Sequence, residues 1–338
     1  MSNSYLIELE RLRAELVTIL DNKGISVESD EPLNTLIPKV NSCGLDELGN
    51  MLAGTGTAIN DTEGKITSIN NNLFRNASNS ATALYLTNCS KIVGNALQQV
   101  SNLKTVTILS PSILIEQSAF YQCSNLTDAR ITGLVTTYTQ VFMNCTALKN
   151  AEYGTIVAMD YGNFNSCSNL QKFKMAGGVL NMRVTFNNCT SLKLIDCGLL
   201  TSFSNNYTDG LNGCSSLKAF VVRSTTVPTL NTSGIFTAWQ TGNNPEFKIF
   251  VPYSKVADYQ SASQWSNVST YIKSIQENLA TLIPIDFDYE DYVEIVTALP
   301  TTNIDDTKVY WIETATEGTY EQWFYGSGSW VQLADITL

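Results

Sequence analysis

One short motif occurs three times between residues 120 and 170: Phe120-Tyr-Gln-Cys123-Ser-Asn-Leu126, Phe142-Met-Asn-Cys145-Thr-Ala-Leu148 and Phe164-Asn-Ser-Cys167-Ser-Asn-Leu170. Two further copies follow, around Cys189 and Cys214, and the five cysteines are 22, 22, 22 and 25 residues apart. A fixed period of this length is typical of a solenoid, in which each coil buries its apolar side against its neighbours.

A second pattern follows each motif leucine. The residues three and five positions after it are mostly apolar, as in Val106 and Ile108 or Phe173 and Met175. This two-residue alternation predicts a short β-strand with one face on a core, and positions one, two and four after the leucine are then expected to face solvent. Weaker copies near Leu97 and Phe74 extend the array to seven coils.

These residues resemble the BspA-type leucine-rich repeat, whose unit is an aromatic residue, two further residues, Cys, Ser or Thr, any residue, Leu and a strand. The resemblance covers about residues 65–245 and implies a right-handed parallel solenoid. Such repeats serve adhesion and protein binding in general, so no particular ligand is implied. The predicted fold is mainly β: a parallel leucine-rich-repeat solenoid with an N-terminal helical segment and a small C-terminal antiparallel β module.

Helical spacing, composition and charge divide the rest of the chain around the repeats. The predicted segments are an N-terminal helical attachment segment (1–43), a linker (44–64), the repeats (65–247), a C-terminal cap of the solenoid (248–280), an acidic linker (281–291) and the small β module (292–338). In the cap, a final strand at 248–251 is expected to lead into a helix that places Tyr259 and Trp265 over the last coil, because an open solenoid end must be covered.

Both ends of the chain resemble segments of bacteriophage proteins. The phrase Leu33-Asn-Thr-Leu-Ile-Pro-Lys-Val40 resembles the N-terminal region of many tail and fibre proteins, and the strand-rich stretch from Leu299 to Trp330 resembles a small β module of tail and baseplate proteins. The resemblance implies a virion protein, assembled in the host cytoplasm and released by lysis. Its expected station is a tail baseplate or fibre, and its expected partners are other virion proteins, a host cell-surface glycan or protein, and further copies of itself, for example in a trimer.

Three alternatives remain open at this stage: a head fibre of a phage capsid, a bacterial BspA-like surface adhesin, and an intracellular scaffold. The N-terminus has acids where a secretory signal has bases followed by an apolar core, which disfavours an exported adhesin. No apolar run reaches the length of a membrane-spanning helix, so no membrane insertion is expected.

Charge and composition exclude several function classes. The chain of 338 residues has no histidine and a formal charge of −11, distributed as −7 over residues 1–64, +6 over 65–280 and −10 over 281–338. An acidic chain is a poor nucleic-acid binder. Histidine-based catalysis and histidine metal sites are excluded, no nucleophile motif or phosphate-binding loop appears, and neither enzymatic activity nor a cofactor is predicted.

The cysteines of the repeat are predicted to be a ladder of buried structural thiols, because they share one repeat position and lack metal-ligand spacing. They are Cys123, Cys145, Cys167, Cys189 and Cys214. A disulfide between adjacent coils is sterically conceivable and would need an oxidising setting.

Charged residues also recur at fixed strand positions. Position four carries the alternating series Arg130, Glu152, Lys174 and Asp196, interpreted as cross-strand pairs that support the register. Position one carries four lysines, which form either a solvated face or a basic row that docks an acidic surface, such as a terminal segment of this chain, a neighbouring protein or an anionic glycan. They are Lys104, Lys149, Lys193 and Lys218.

Overall fold

The computed structural model describes Val17 and residues 58–69, 81–204, 207–240, 244–288, 293–302, 305, 308–316, 319–326, 328–333 and 335–337. Apart from Val17, the predicted N-terminal helical segment, 1–43, lies outside the described residues, as does the first part of the predicted linker.

Fourteen strands form one large sheet. They are β1 Ala58–Asp61, β2 Ser68–Ile69, β3 Ala83–Leu86, β4 Lys91–Ile92, β5 Thr105–Ile108, β6 Ser112–Ile115, β7 Asp128–Thr137, β8 Asn150–Met159, β9 Lys172–Leu180, β10 Leu194–Asp196, β11 Leu199–Phe203, β12 Ala219–Val221, β13 Lys248–Val251 and β14 Ile272–Ser274. Ten of them, called the main strands here, stack in the order β1-β3-β5-β7-β8-β9-β10-β12-β13-β14, and all neighbours in this order are parallel. The parallel solenoid predicted from the repeat is confirmed.

The solenoid is longer than the motif count predicts, with about nine turns rather than seven. It begins earlier, because β1 lies inside the segment predicted to be a linker and pairs with β3. It ends later, because β14 pairs with β13, so the strand at 248–251 is not the final one. These end strands alternate buried and exposed residues but lack the cysteine motif, which is why the motif count misses them.

The coils bend sharply where each main strand ends, and β7, β8 and β9 continue through this bend as single long strands. Two glycines permit it by letting backbones approach closely. A Cβ on Gly133 would lie 2.1 Å from the carbonyl oxygen of Ser110, and one on Gly154 would lie 2.2 Å from that of Gly133. No side chain fits at either position.

Inside the solenoid, the motif phenylalanines form a stack that runs along its axis. Ring centroids are 4.9 Å apart for Phe120 and Phe142, and 5.7 Å apart both for Phe142 and Phe164 and for Phe164 and Phe186. The rings are nearly parallel, within 7°. Each ring is buried by the same ring of the next coil, so the aromatic position fixes the coil-to-coil register.

The five ladder cysteines are free and fully buried. Each thiol donates a hydrogen bond to a backbone carbonyl of the preceding coil; for example, Cys145 Sγ is 3.1 Å from the oxygen of Phe120, and Cys167 Sγ is 3.1 Å from that of Phe142. Burial raises the pKa of Cys167 and Cys214 to about 12, so these thiols stay protonated near neutrality. The cysteine therefore acts as a donor between coils as well as an apolar filler.

Two positions in most coils adopt left-handed backbone, one immediately before the cysteine position and one five residues before it. Glycine, Asn, Gln and Ser occupy nearly all of them, and Asn144 and Asn188 stand before their cysteines for this reason. Val184 is the exception, with a φ of 45°. A β-branched side chain is strained in this region.

The end of the solenoid is closed by short helices: α1 Gly234–Gln240, α2 Val256–Ser261 and α3 Leu279–Leu282, with 3-10 turns at Tyr253–Lys255, Trp265–Tyr271, Gln276–Asn278 and Ile283–Ile285. Tyr259 and Trp265 are buried over the last coils, as the sequence suggested. The Tyr259 hydroxyl donates to the carbonyl of Ser224 at 2.9 Å, and Trp265 Nε1 donates to that of Pro228 at 2.8 Å.

A separate five-stranded sheet follows: β15 Val293–Ile295, β16 Val309–Glu313, β17 Thr319–Gly326, β18 Ser329–Gln332 and β19 Ile336–Thr337. β17 pairs antiparallel with β16, β18 and β19, which confirms the predicted antiparallel module. β15 adds a parallel edge that the sequence did not predict.

Replacing Val184 with Asn is expected to stabilise the protein by about 1 kcal/mol, because Asn tolerates the left-handed backbone that valine resists. Chemical denaturation of the two proteins measures the difference. Val157→Asn is the matched control, since Val157 is exposed in strand β8 and has no positive φ, so its replacement should cost a little stability. A Val184→Asn protein no more stable than the wild type would contradict the strain argument.

Candidate binding surface

The outward face of the main strands changes character along the solenoid. From β1 to β9 its residues are polar or small and at least partly accessible, whereas Leu194, Ala219, Val221 and Phe250 on β10, β12 and β13 are apolar and buried. Apolar residues on the outward face of a strand indicate that a second layer of structure covers that face. The change from polar to apolar outward residues begins at β10.

The covering layer is the C-terminal part of the chain. The outward side chains of β10, β12 and β13 form one apolar cluster with the segment after β14 and with the C-terminal sheet. Its other buried members are Ile275, Leu279, Leu282, Phe287, Val309, Trp311 and Phe324. Tyr253 of the cap meets Phe324 edge-on, with ring centroids 4.5 Å apart. Residues 275–337, named here the C-terminal module, therefore dock on one half of the strand face.

An ion-pair cluster marks the border of the docked module. Lys172 and Lys174 on β9 hold the two carboxylate oxygens of Asp288, at 2.7 and 2.6 Å, and Lys172 also lies 3.4 Å from Asp286. Partial burial acts to raise the pKa of Asp288, but its hydrogen bonds and charge interactions with the two lysines outweigh burial and lower it. The acidic segment predicted to be a linker, 281–291, therefore pairs with lysines on the strand face of the same chain.

The alternating charge series is only partly the cross-strand ladder that the sequence suggested. Arg130 and Glu152 pair as expected, at 3.2 Å. Lys174 instead pairs with Asp288. Asp196 is buried and pairs with Arg223 at 2.5 Å. The Arg223 guanidinium also lies 5.1 Å from the ring centre of Phe287. Interpreting Asp196 as a solvent-facing residue was wrong, because the C-terminal module covers that strand.

The strand face from β1 to β8 is left open by the module. Neighbouring side chains here are joined across strands, as where Asn150 Nδ2 donates to Asp128 Oδ1 at 2.8 Å. A cavity of about 390 Å³ lies between this face and Asp286 and Asp288, and another of about 590 Å³ lies at the bend, where Leu134 and Leu199 are half or more exposed. The border between covered and open face is therefore concave.

The four predicted lysines lie at one edge of the strand face, just before their strands, and all are exposed. Lys104 and Lys149 precede β5 and β8 on the open part, whereas Lys193 and Lys218 precede β10 and β12, whose outward side chains are covered. Backbone hydrogen bonds place them in one row: Lys149 N donates to Thr127 O and Thr127 N donates to Lys104 O, both at 2.8 Å, and the series continues to Lys193 and Lys218. Lys218 pairs with Glu246 at 2.9 Å. Among the described residues, no carboxylate pairs with Lys104, Lys149 or Lys193.

Within the part of the chain that the structure describes, no three His, Cys, Asp or Glu side chains are grouped so that they could hold a metal ion. No helix in that part has the length and apolar character of a membrane span.

The sequence did not bring Lys172, Asp288 and Phe287 together at the border of the covered face, and it assigned Lys174 to the cross-strand charge series. A signal for them was present. Positions two and four after the motif leucine become apolar at Leu194 and Val221, although the repeat predicts solvent there. That change indicates where the array acquires a second layer.

Comparison with known proteins identifies the repeats. The model described as BspA type Leucine rich repeat region matches six copies, over residues 67–193 and 115–233. A crystal structure of a leucine rich cell surface protein from Faecalibacterium prausnitzii A2-165 is similar at 17% identity, over 60% of this chain and 86% of that chain, with a TM-score of 0.19. A likeness with so low a TM-score carries no argument about function. No curated protein matches the chain.

Replacing Asp288 with Asn is expected to loosen the C-terminal module, because Lys172 and Lys174 would lose the carboxylate that bridges them and only Asp286 would remain near Lys172. The expected loss is about 1–2 kcal/mol, less than for a fully buried pair because the carboxyl is a third exposed. Faster hydrogen exchange in residues 275–288 would report it. Asp286→Asn is the control, since that carboxyl is 79% exposed and should matter little.

The ion pairs of Asp288 with Lys172 and Lys174 also make the docking of the C-terminal module depend on pH. Because the folded pKa of Asp288 lies below its ordinary value of 3.8, its contribution is complete above about pH 4 and is lost as the pH falls through the lowered value. The difference in exchange between wild type and Asp288→Asn should therefore shrink in acid. A difference that is constant down to about pH 2 would contradict this role of the carboxylate.

Proposed function

We propose that this chain is a non-enzymatic adhesion or structural protein that binds a partner through its open strand face. The match of residues 67–233 to the BspA type leucine-rich repeat supports this proposal. One observation supports this most directly: the C-terminal module covers the face from β10 to β13 and leaves the face from β1 to β8 accessible. A solenoid offers an extended surface on which each coil contributes the same positions.

The chemistry of the open face favours an acidic partner. Lys104, Lys149 and Lys193 lie in register along one edge without a carboxylate among the described residues, whereas Lys172 and Lys174 are already neutralised by Asp288. Equally spaced cations that lack counter-charges attract a surface of opposite sign and raise its association rate. A neighbouring protein of the same assembly or an anionic cell-surface polymer has that property.

We place the protein in a bacteriophage virion, in the tail baseplate or a fibre, as a homo-oligomer such as a trimer. The support is the resemblance of Leu33–Val40 and of the stretch from Leu299 to Trp330 to segments of phage tail proteins. A phage head fibre is an alternative station. A bacterial surface adhesin fits the repeats equally well, because the repeats alone do not distinguish a cell surface from a virion surface.

Immunogold electron microscopy distinguishes between these three locations: the phage tail, the phage head and the bacterial cell surface. An antibody raised against the solenoid is applied to purified particles from the producing culture. We expect gold at the tail tip. Gold on the head would move the protein to a head fibre, and bare particles with gold on cell envelopes would replace the virion proposal with the adhesin.

Replacing all four row lysines, Lys104, Lys149, Lys193 and Lys218, with Ser is expected to weaken binding to immobilised polyglutamate at low salt about tenfold or more, from the sum of several exposed charge pairs. The fold should be unaffected, because these side chains are exposed.

The control carries Lys65, Lys255 and Lys273 changed to Ser, which removes three positive charges away from the row. Two of these lysines pair locally, with Glu63 and Asp258. Equal loss of binding in both variants would mean that overall charge, and not the row, attracts the acidic surface.

A further inference from the structure

An arginine lies between two tyrosine rings at the other end of the strands. The guanidinium carbon of Arg183 is 4.5 Å from the ring centre of Tyr161 and 4.8 Å from that of Tyr207. Tyr161 follows the carboxyl end of β8 and Arg183 that of β9, whereas the lysine row precedes the strands. The two features therefore lie at opposite ends of these strands, with the bend between them.

The backbone that carries this arginine is tightly held. The buried side chain of Asn181 accepts a hydrogen bond from Arg183 N at 2.8 Å and donates to the carbonyl of Met159 at 3.1 Å. The Arg183 carbonyl accepts from Gly162 N at 3.0 Å. With its backbone fixed and its plane against aromatic rings, the guanidinium loses little freedom on binding a ligand.

The guanidinium lacks a protein partner for its charge among the described residues. Asp160, which precedes Tyr161 in the chain, and Asp209, which follows Tyr207, accept the backbone N–H groups of Tyr161 and Val184, at 2.8 and 3.1 Å. Neither forms an ion pair with Arg183. The five N–H donors of an arginine match a carboxylate in a two-bond fork. A held arginine that lacks a carboxylate is suited to bind one from outside the chain.

Aromatic rings extend this feature along the solenoid. Tyr138 and Tyr207 are 47% and 45% exposed. Four successive coils thus present Tyr138, Tyr161, Arg183 and Tyr207, and at about 4.8 Å per coil the row spans roughly 15 Å. That length suits a chain molecule with several ring-shaped units.

We propose that this tyrosine–arginine row binds an acidic carbohydrate, a sugar chain that carries carboxylate groups. Arg183 takes a carboxylate through its guanidinium N–H groups, and the exposed tyrosine rings pack against the apolar C–H faces of neighbouring sugar rings. The inference rests on the proposed binding function and names a ligand class and a site that the lysine row does not include.

A sugar suits this surface better than an acidic peptide. Peptides are bound by a free strand edge, a helix groove, an aromatic groove for polyproline, or a cluster of arginines. The row lies after the ends of strands that are paired on both sides, and it carries one arginine among flat, exposed rings. Aromatic side chains with a single polar anchor give contact area without requiring a pocket.

The test measures the binding of the intact chain to an oligogalacturonate and to the neutral oligogalactose of the same length, by calorimetry or ligand NMR. We expect the acidic oligomer to bind at least about tenfold more tightly, and Arg183→Gln should weaken it about tenfold or more, since one charged hydrogen-bonded contact is lost. Tyr161→Phe should retain binding because the ring remains, whereas Tyr161→Ala should weaken it.

Lys104→Gln is the matched control: it removes one exposed, unpaired cation at the opposite end of the strands and should change the affinity less than about twofold. All these side chains are at least partly accessible, so melting temperatures should stay close to the wild type. Equal affinity for both oligomers, an unaffected Arg183→Gln protein, tighter Arg183-dependent binding of polyglutamate, or no binding at millimolar concentration would each overturn the proposal. If polyglutamate binding depends on the lysine row while the oligogalacturonate shows no Arg183-dependent binding, this site fails and the proposed function stands.

Discussion

The structure depends on stacking between coils, because a single coil of 22 residues has no interior of its own. Every motif position serves that contact. The phenylalanine of one coil covers the phenylalanine of the next, and the cysteine thiol donates to the carbonyl of the preceding coil. A change of length within one coil would shift all these contacts together, which explains why the period is kept so closely from Cys123 to Cys189.

Stacking leaves two surfaces without a partner coil: the ends of the solenoid and the outward strand face. The cap solves the first with Tyr259 and Trp265, whose polar atoms bond to carbonyls of the last coils. The C-terminal module covers about half of the outward strand face: it buries the apolar outward residues of β10, β12 and β13, and its Asp288 neutralises Lys172 and Lys174. The remaining polar half stays available, and the proposed function follows from that division.

The sequence predicts the repeat and its inward residues well, because the apolar alternation and the cysteine motif report the same local geometry in every coil. It also places Tyr259 and Trp265 in the cap. It does not predict how far the stack continues, since β1 and β14 lack the motif, nor which outward residues are covered. Asp196 shows why: its neighbours along the chain resemble those of Arg130, yet it is buried and pairs with Arg223, whose guanidinium lies against Phe287 of the C-terminal module. The apolar Leu194 and Val221 indicate that a second layer begins there, but not which distant segment supplies it.

The division of the strand face is tested most directly by the reactivity of its lysines. Brief acetylation of the intact, native chain, followed by peptide mass spectrometry, compares five lysines of one surface under identical conditions. The side chains of Lys172 and Lys174 are 15% and 27% exposed, so we expect them to react several-fold more slowly than Lys104, Lys149 and Lys193. Equal rates at all five would mean that the C-terminal module does not cover the face, and the division proposed as the basis of binding would be contradicted.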